Sequence, residues 1–269
     1  MYAVKLGNAP GYSIDSPHVR TGYRSKMTFL QCWWSMFRWH NQTLNIWTSI
    51  LLVAFNLWAT RSAVVDRPDM PPRFQAMFWF HGGLRAFCWV NSWVYHTFVP
   101  VSERVARLAL LMDYLGCYLT PLGMGSNLLF IVLAHRHDLR IACTCLGAAG
   151  VFLSVAASVS LPQYQTEAYR GLRIALSAAC TLPYLCGLFG ATQGGPPTYY
   201  VYFLYAVMCE ILAGWYYLTM FPESRYPRTF DYLMSSHTIW HWLNLGFDIY
   251  MLRFACMAYD DTFSSSPNE

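Results

Sequence analysis

The feature that most constrains this chain is a series of seven apolar segments. Each is close to the roughly 20 residues that an α-helix needs to cross the hydrocarbon core of a bilayer. They cover about residues 45–60, 74–98, 105–134, 141–161, 172–191, 199–221 and 236–256. Charged residues make up 12% of the chain, whereas a soluble domain carries about 25%. The sequence therefore predicts an all-α fold, a bundle of seven transmembrane helices.

The polar ends of the chain suggest three regions. We expect residues 1–40 to form an amino-terminal arm, residues 41–257 the transmembrane domain and residues 258–269 a short extracellular or lumenal tail. The end of the arm is rich in Phe and Trp, which suits a helix lying along the membrane surface. The first twenty residues lack an apolar run, so we expect no secretory signal there. In the third segment, Pro121 predicts a kink or a break.

The distribution of Lys and Arg predicts how the helices run across the membrane. Eleven of the eighteen basic residues fall in the arm and in the linkers after helices two, four and six; six fall on the other side, and Arg85 lies inside helix two. This excess places the amino terminus in the cytoplasm and the carboxyl terminus outside. The sequon at Asn41 should then stay unglycosylated. The net charge of +4 gives no support for nucleic-acid binding.

A cluster of histidines predicts a metal site inside the bundle. His237 and His241 stand four residues apart at the start of the seventh segment, so a helix would put both imidazoles on one face, one turn apart. His96 near the end of the second segment and Asp113 two turns into the third should lie at the same depth. Histidines so placed can share one metal ion. We predict His96, His237 and His241 as its ligands.

The residue types match a catalytic zinc site better than a structural one, because a catalytic zinc keeps one coordination position open. Asp113 is predicted to orient a water molecule and take its proton. Ser92, one turn before His96, could hydrogen-bond that water or a substrate carbonyl. A ligating histidine also donates its second ring N–H to a neighbour. The hydroxyls of Ser235 and Ser236, or backbone carbonyls, are the candidate acceptors.

Two further carboxylates lie within the predicted helices, where ionisable side chains are costly and tend to be functional. Asp248 lies deeper in the seventh helix than the histidines and could pair with Arg85 or Arg253. Glu210 lies in the sixth segment and has no evident partner. The sequence assigns neither carboxylate a chemical role.

Several short runs occur in an order that is typical of one protein family. They are Gly22 to Arg24, His40 to Thr48, Ser92 to Phe98, Asp113-Tyr114, Phe221 to Glu223, Phe230-Asp231 and Ser236 to His241. Over about residues 22–254 the chain resembles the progestin and adipoQ receptor (PAQR) family, which includes adiponectin receptors and haemolysin III-related proteins. The resemblance implies seven helices, a cytoplasmic amino terminus and an intramembrane zinc. It places the zinc on His96, His237 and His241, with Asp113 and Ser92 at the same site.

The resemblance links the chain to ceramide hydrolysis and to signalling by hormones or lipids. Three hypotheses about function are open. The first is a zinc-dependent amide hydrolase whose ceramide-like substrate enters from the bilayer. The second is a receptor for a hormone or for a sterol-like or fatty-acid-like lipid, in which zinc is only structural. The third is a polar-core bundle without metal, such as a transporter. Short outer linkers disfavour a protein hormone, and the family favours the plasma membrane over internal membranes.

Overall fold

Seven long α-helices dominate the computed structural model, which describes residues 3–134, 136–161, 169–190 and 197–264. They follow a short helix and a two-stranded antiparallel sheet. The elements are β1 Ala3–Val4, β2 Tyr23–Arg24, α1 Phe29–Ser35, α2 Thr43–Val65, α3 Pro72–Phe98, α4 Glu103–Val132, α5 His137–Ser160, α6 Arg170–Gly190, α7 Tyr200–Thr219 and α8 Ser236–Tyr259. Each predicted apolar segment corresponds to one of α2 to α8, which confirms the predicted all-α bundle.

Five of the long helices, α2 and α4 to α7, are long and apolar enough to cross a membrane by length and composition. We attribute the lower apolarity of α3 and α8 to the ionisable residues along their lengths. On α3, Arg85 and His96 are buried, and on α8, His241 and Asp248 are buried. Polar groups in a membrane bundle are expected to face its interior in this way. The two long helices outside this set of five are thus the two that carry the predicted metal ligands.

Local sequence fixes the starts of the helices that carry the site. Pro72 occupies the first turn of α3, where its missing N–H costs no hydrogen bond. Ser102 caps α4 by accepting a hydrogen bond from the Val105 N–H at 3.3 Å. Ser235 caps α8 in the same way. Within α4, the helix continues through Pro121; of the predicted kink or break, the break does not occur and the kink stays a prediction.

Glycines let α3 approach its neighbours closely. A Cβ added at Gly116 of α4 would lie 2.6 Å from the Cα of Cys88 on α3, and one added at Gly82 of α3 would lie 2.1 Å from the Thr60 hydroxyl on α2. Small residues at helix interfaces allow such backbone approach in membranes. The centre of α3 is thereby held between α2 and α4.

The amino-terminal arm packs across the end of the bundle where α3 ends and α4 and α8 begin. Arg24, which is buried, donates hydrogen bonds to the carbonyl oxygens of His96 and Thr97. Burial lowers the pKa of Arg24 to about 10, so the guanidinium stays charged at neutral pH. At the opposite end of the bundle, Arg67 pairs with Asp260 at 2.6 Å. The arm and the end of α8 therefore lie at opposite ends of the bundle.

The outer regions keep part of their predicted character. The helix α1 lies where a surface helix was predicted, and Phe29, Trp33 and Trp34 on it are exposed; its contact with a membrane stays a prediction. The last helix runs to Tyr259, and a single π-helical turn follows over Asp260–Ser264. Of the predicted tail, residues 265–269 lie outside the described residues.

Candidate metal site

The three predicted histidines converge. One ring nitrogen from each of His96, His237 and His241 lies within 4.8 Å of the other two, and the Nε2 atoms of His96 and His237 are 3.1 Å apart. Zinc–nitrogen bonds of about 2.0–2.1 Å in a tetrahedral site place ligand atoms about 3.3 Å apart. The His96–His237 pair matches this spacing, and the wider separations need to contract by at most about 1.5 Å around a single shared metal ion.

The start of α8, which carries two of these histidines, is held by a buried carboxylate. Glu223, in the loop before α8, accepts hydrogen bonds from the Ser236 N–H at 2.7 Å and from the Ser236 hydroxyl at 2.5 Å. A negative charge is favourable at a helix amino terminus, where backbone N–H groups lack partners. Glu223 is fully buried, so this contact fixes the first turn of α8, where His237 lies.

A glutamine on the arm side of α2 orients His96. The Nδ1 atom of His96 lies 2.7 Å from the Gln42 Oε1 atom. The amide nitrogen of Gln42 meets the Asp15 carboxylate at 2.5 Å, and its oxygen accepts from the Asn45 amide at 2.9 Å. Because a carboxylate only accepts, the amide orientation is settled. His96 therefore donates its Nδ1–H and keeps the Nε2 lone pair for the metal site.

A threonine on α2 orients His241 in the same manner. The Nδ1 atom of His241 lies 2.7 Å from the Thr48 hydroxyl oxygen, which is itself 2.6 Å from the Leu44 carbonyl oxygen. The single hydroxyl hydrogen goes to the carbonyl, so the hydroxyl oxygen accepts from His241. The Trp89 and His241 rings pack in a T-shaped arrangement, with ring centroids 5.0 Å apart. The Nε2 atom of His241 is thus also left as a lone-pair donor.

The donor set fits a zinc ion. At least two of the three imidazoles have an acceptor fixed at Nδ1, which is how proteins orient histidines so that Nε2 can bind zinc. The interpretation that Ser235 and Ser236 accept these hydrogens was wrong for His96 and His241. Ser235 caps α8, and Ser236 bonds Glu223. These serines are next to the ligands in sequence, whereas the acceptors, Gln42 and Thr48, lie at and near the start of α2.

Gln42 and Thr48 are functional candidates that the sequence interpretation missed. A signal was present, because polar side chains recur along the otherwise apolar helix α2. Within α2 they include Asn45, Thr48, Ser49 and Asn56, and Gln42 immediately precedes the helix; all five are buried. Residues three, four and seven apart share one helix face. A buried polar stripe on a membrane helix predicts contacts with polar groups on its neighbours.

Ser92 and Asp113 meet two of the three histidines at one cavity. A cavity of about 120 Å³ is lined by Ser92, Asp113, His237 and His241. A second, more polar cavity of about 620 Å³ lies beneath the arm and is also bordered by Asp113 and His237. Asp113 does not join the three histidines as a potential ligand. The predicted site residues thus lie close together, and Asp113 borders both cavities.

A second polar cluster lies deeper in the bundle. Asp248 pairs with Arg85, one of its two predicted partners, and accepts a hydrogen bond from the Asn56 amide at 2.8 Å. Arg85 also lies 3.4 Å from the Asn244 amide oxygen. Glu210 lines the same cavity as Arg85 and Asn244. Arg85, Asn244 and Glu210 therefore face the cavity that holds the predicted catalytic residues.

Comparisons with known proteins agree with this architecture. A family model described as haemolysin-III related matches residues 37–250. Human progestin and adipoQ receptor family member 3 is 28% identical over 86% of this chain and 78% of its own length. Heptahelical transmembrane protein 1 of Arabidopsis thaliana is 24% identical over 86% of this chain and 74% of its own length. Membrane progestin receptor alpha of Cynoscion nebulosus is 23% identical over 88% of this chain and 71% of its own length. The chain is therefore an integral membrane protein that belongs to the haemolysin-III-related family, with homologues among the PAQR receptors.

Proposed function

We propose that this protein is a zinc-dependent hydrolase that cleaves the amide bond of ceramide-like lipids. The observation that carries the proposal is the convergence of His96, His237 and His241 beside a cavity that also presents Asp113 and Ser92. Zinc at such a site supplies Lewis-acid polarisation of a carbonyl group.

The two oxygen-bearing side chains have separate tasks. Asp113 makes no hydrogen bond to another described residue, and it borders both cavities. Its carboxylate is therefore available to hold a water molecule and accept its proton. The Ser92 hydroxyl, 3.2 Å from the Ser49 hydroxyl, is placed to hydrogen-bond the substrate carbonyl. Water reaches Asp113 through the polar cavity beneath the arm.

The inner cavity suits the apolar part of a lipid. Its walls include Trp89, Met124 and Phe247, and side chains from α3, α4, α6, α7 and α8 enclose it. Among the described residues, α6 and α7 pack only slightly against each other, whereas α7 packs extensively on α8. We propose that lipid enters from the bilayer between α6 and α7, because the wall of the cavity is weakest there.

Release of fatty acid from ceramide tests the hydrolase proposal. Purified protein in lipid nanodiscs, supplied with zinc, should release labelled fatty acid from acyl-labelled ceramide. Asp113→Asn should lower turnover by about 10²-fold or more, the usual cost of losing a general base, while zinc content stays unchanged. Asp138→Asn, at an exposed site in the first turn of α5, is the matched control. Zinc-loaded protein that cleaves no member of a panel of lipid amides would refute the proposal.

A receptor function is the second candidate, and the contacts between the arm and the metal site favour it. Asp15 accepts from Gln42, which in turn accepts from His96, and Arg24 of the arm donates to the His96 carbonyl. A sterol-like or fatty-acid-like ligand in the cavity would then alter the arm, with zinc only structural. Hydrogen exchange in residues 10–24 should change on ligand addition in wild type and in Asp113→Asn alike. If no ligand tested changes hydrogen exchange in residues 10–24, the receptor function is contradicted.

We further propose that the arm faces the cytoplasm and that the protein resides in the plasma membrane. The excess of basic residues at the arm end of the bundle supports this orientation. An epitope tag at residue 1 should be inaccessible to antibody in intact cells and accessible after permeabilisation. Surface biotinylation of outer linkers tests the choice of membrane. A glycan at Asn41 would reverse the orientation.

A further inference from the structure

The inner cavity is polar at two separate depths. At one depth it presents His237, His241, Asp113 and Ser92, and at the other Arg85, Asn244 and Glu210. On α8, Asn244 and Asp248 follow His241 by three and seven residues, so all three lie on one face. Seven residues of helix span about 10 Å. The second cluster, consisting of Arg85, Asn244, Asp248 and Glu210, therefore lies about 10 Å deeper than the metal site.

Two groups of this second cluster have unused hydrogen-bonding capacity. The side chain of Arg85 is 6% exposed, and its Nε atom is buried without a hydrogen-bond partner among the described residues. Glu210 makes no hydrogen bond or ion pair within the described part of the chain, although its carboxylate interacts electrostatically with Arg85 and Asp248. Buried polar groups are normally paired, so the Arg85 Nε–H calls for an explanation; Glu210 beside it is half-buried.

The charges of the cluster select the kind of group that could complete it. Arg85 and Asp248 neutralise each other as an ion pair, which leaves the carboxyl group of Glu210. An anionic ligand would face the carboxylates of Asp248 and Glu210, and an ammonium group, which only donates, could not accept from the Arg85 Nε–H. A neutral hydroxyl can accept from the Arg85 Nε–H and donate to Glu210 at once, because it is both donor and acceptor.

We propose that Arg85 and Glu210 form a second subsite that binds a hydroxyl group of the lipid, about 10 Å from its polar group at the histidines. The inference rests on the proposed use of the cavity by a lipid. It adds a selection rule: the preferred ligand is an uncharged amphiphile with two polar groups separated by an apolar stretch. Trp89, Met124 and Phe247 provide the apolar lining for that stretch.

Equilibrium binding of matched probes tests the subsite. The probes are long-chain methyl ketones that carry one hydroxyl at successive mid-chain carbons, with the unsubstituted ketone as reference. A ketone offers a carbonyl oxygen but no amide to cleave, so binding is measured without turnover. With purified protein in nanodiscs, the best hydroxyketone should bind about tenfold more tightly than the reference, the value of a hydrogen bond to a charged group.

Variants assign the effect to the cluster. Glu210→Leu should abolish the preference for the hydroxyl while the reference ketone binds as before. Arg85→Leu combined with Asp248→Leu, which removes the ion pair without leaving a buried charge, should do the same. Met208→Leu, on the exposed side of α7, is the control and should keep the preference.

The outcomes separate this inference from the proposed function. Equal binding of all hydroxyketones and the reference to wild type would overturn the subsite and leave the lipid cavity standing. A preference that survives in both cluster variants would also overturn it. Failure of every ketone to bind would count against the lipid cavity itself, and the subsite would fall with it.

Discussion

Thr48 offers the sharpest test of how the metal site is prepared. Replacing Thr48 by Val keeps the size and β-branching of the side chain but removes the oxygen that accepts the His241 Nδ1–H at 2.7 Å. The ring N–H is then buried without a partner, at a cost of about 1–3 kcal/mol. The ring can relieve this cost by moving its hydrogen to Nε2, but that tautomer cannot bind a metal through Nε2. We therefore expect zinc affinity to fall by about 10–100-fold.

The assay is competition between the protein and a series of chelators for zinc, with purified protein in nanodiscs. Thr48→Ser keeps the hydroxyl and should bind zinc nearly as tightly as wild type. Thr262→Val is the control, because the Thr262 hydroxyl makes a similar bond to the carbonyl four residues earlier, at 2.7 Å, but lies at the other end of the bundle. If Thr48→Val binds zinc as tightly as Thr48→Ser, the proposed role of the threonine is wrong.

Three further predictions concern stability. Burial, reinforced by the nearby Arg24 charge, lowers the pKa of His40 to about 2, whereas in the unfolded chain this pKa is about 6.5. Below pH 6.5 the unfolded chain therefore binds a proton that folded His40 does not, and the free energy of unfolding falls with the pH. Above pH 6.5 His40 is neutral in both states, and this loss is absent. Relative to His40→Gln, wild type should lose about 1.4 kcal/mol per pH unit below about 6.5 in unfolding titrations; parallel pH profiles would contradict this. Asp248→Leu should destabilise the fold by about 3–5 kcal/mol, because it leaves the buried Arg85 charge unpaired. Adding Arg85→Leu should restore most of this loss in the same unfolding titrations. A double variant no more stable than the single variant would contradict the prediction. Gly116→Ala should cost about 1–3 kcal/mol because its Cβ would overlap α3, and an unchanged melting temperature would show that the two helices are not so close.

The helical content of the protein could be predicted from sequence. The length and apolarity of a transmembrane helix depend on local composition and on the thickness of the bilayer, because a chain in lipid must satisfy its own backbone hydrogen bonds. The same local geometry put His237 and His241 on one face of α8. Even α3 and α8, which are less apolar than the five helices long and apolar enough to cross a membrane, could be recognised as helices in this way.

Contacts between distant residues could be predicted only in part. The alternation of helix direction placed His96 and Asp113 at the depth of His237, and the structure agrees. The partner of Asp248 remained open between Arg85 and Arg253, and the acceptors for the histidines were sought next to them in sequence. Gln42 was not considered, although it belongs to a run that resembles the family.

The amino-acid sequence by itself determined the seven helices, their approximate ends and the faces that carry the histidines. Only the tertiary structure decided that Gln42 and Thr48 set the tautomers of His96 and His241, and that Arg85 neutralises Asp248. The physical reason is that such contacts depend on the rotation of each helix about its axis and on the distance between axes. These are set by packing between helices, as where Gly116 lets α4 approach α3, and no local pattern in the sequence specifies them.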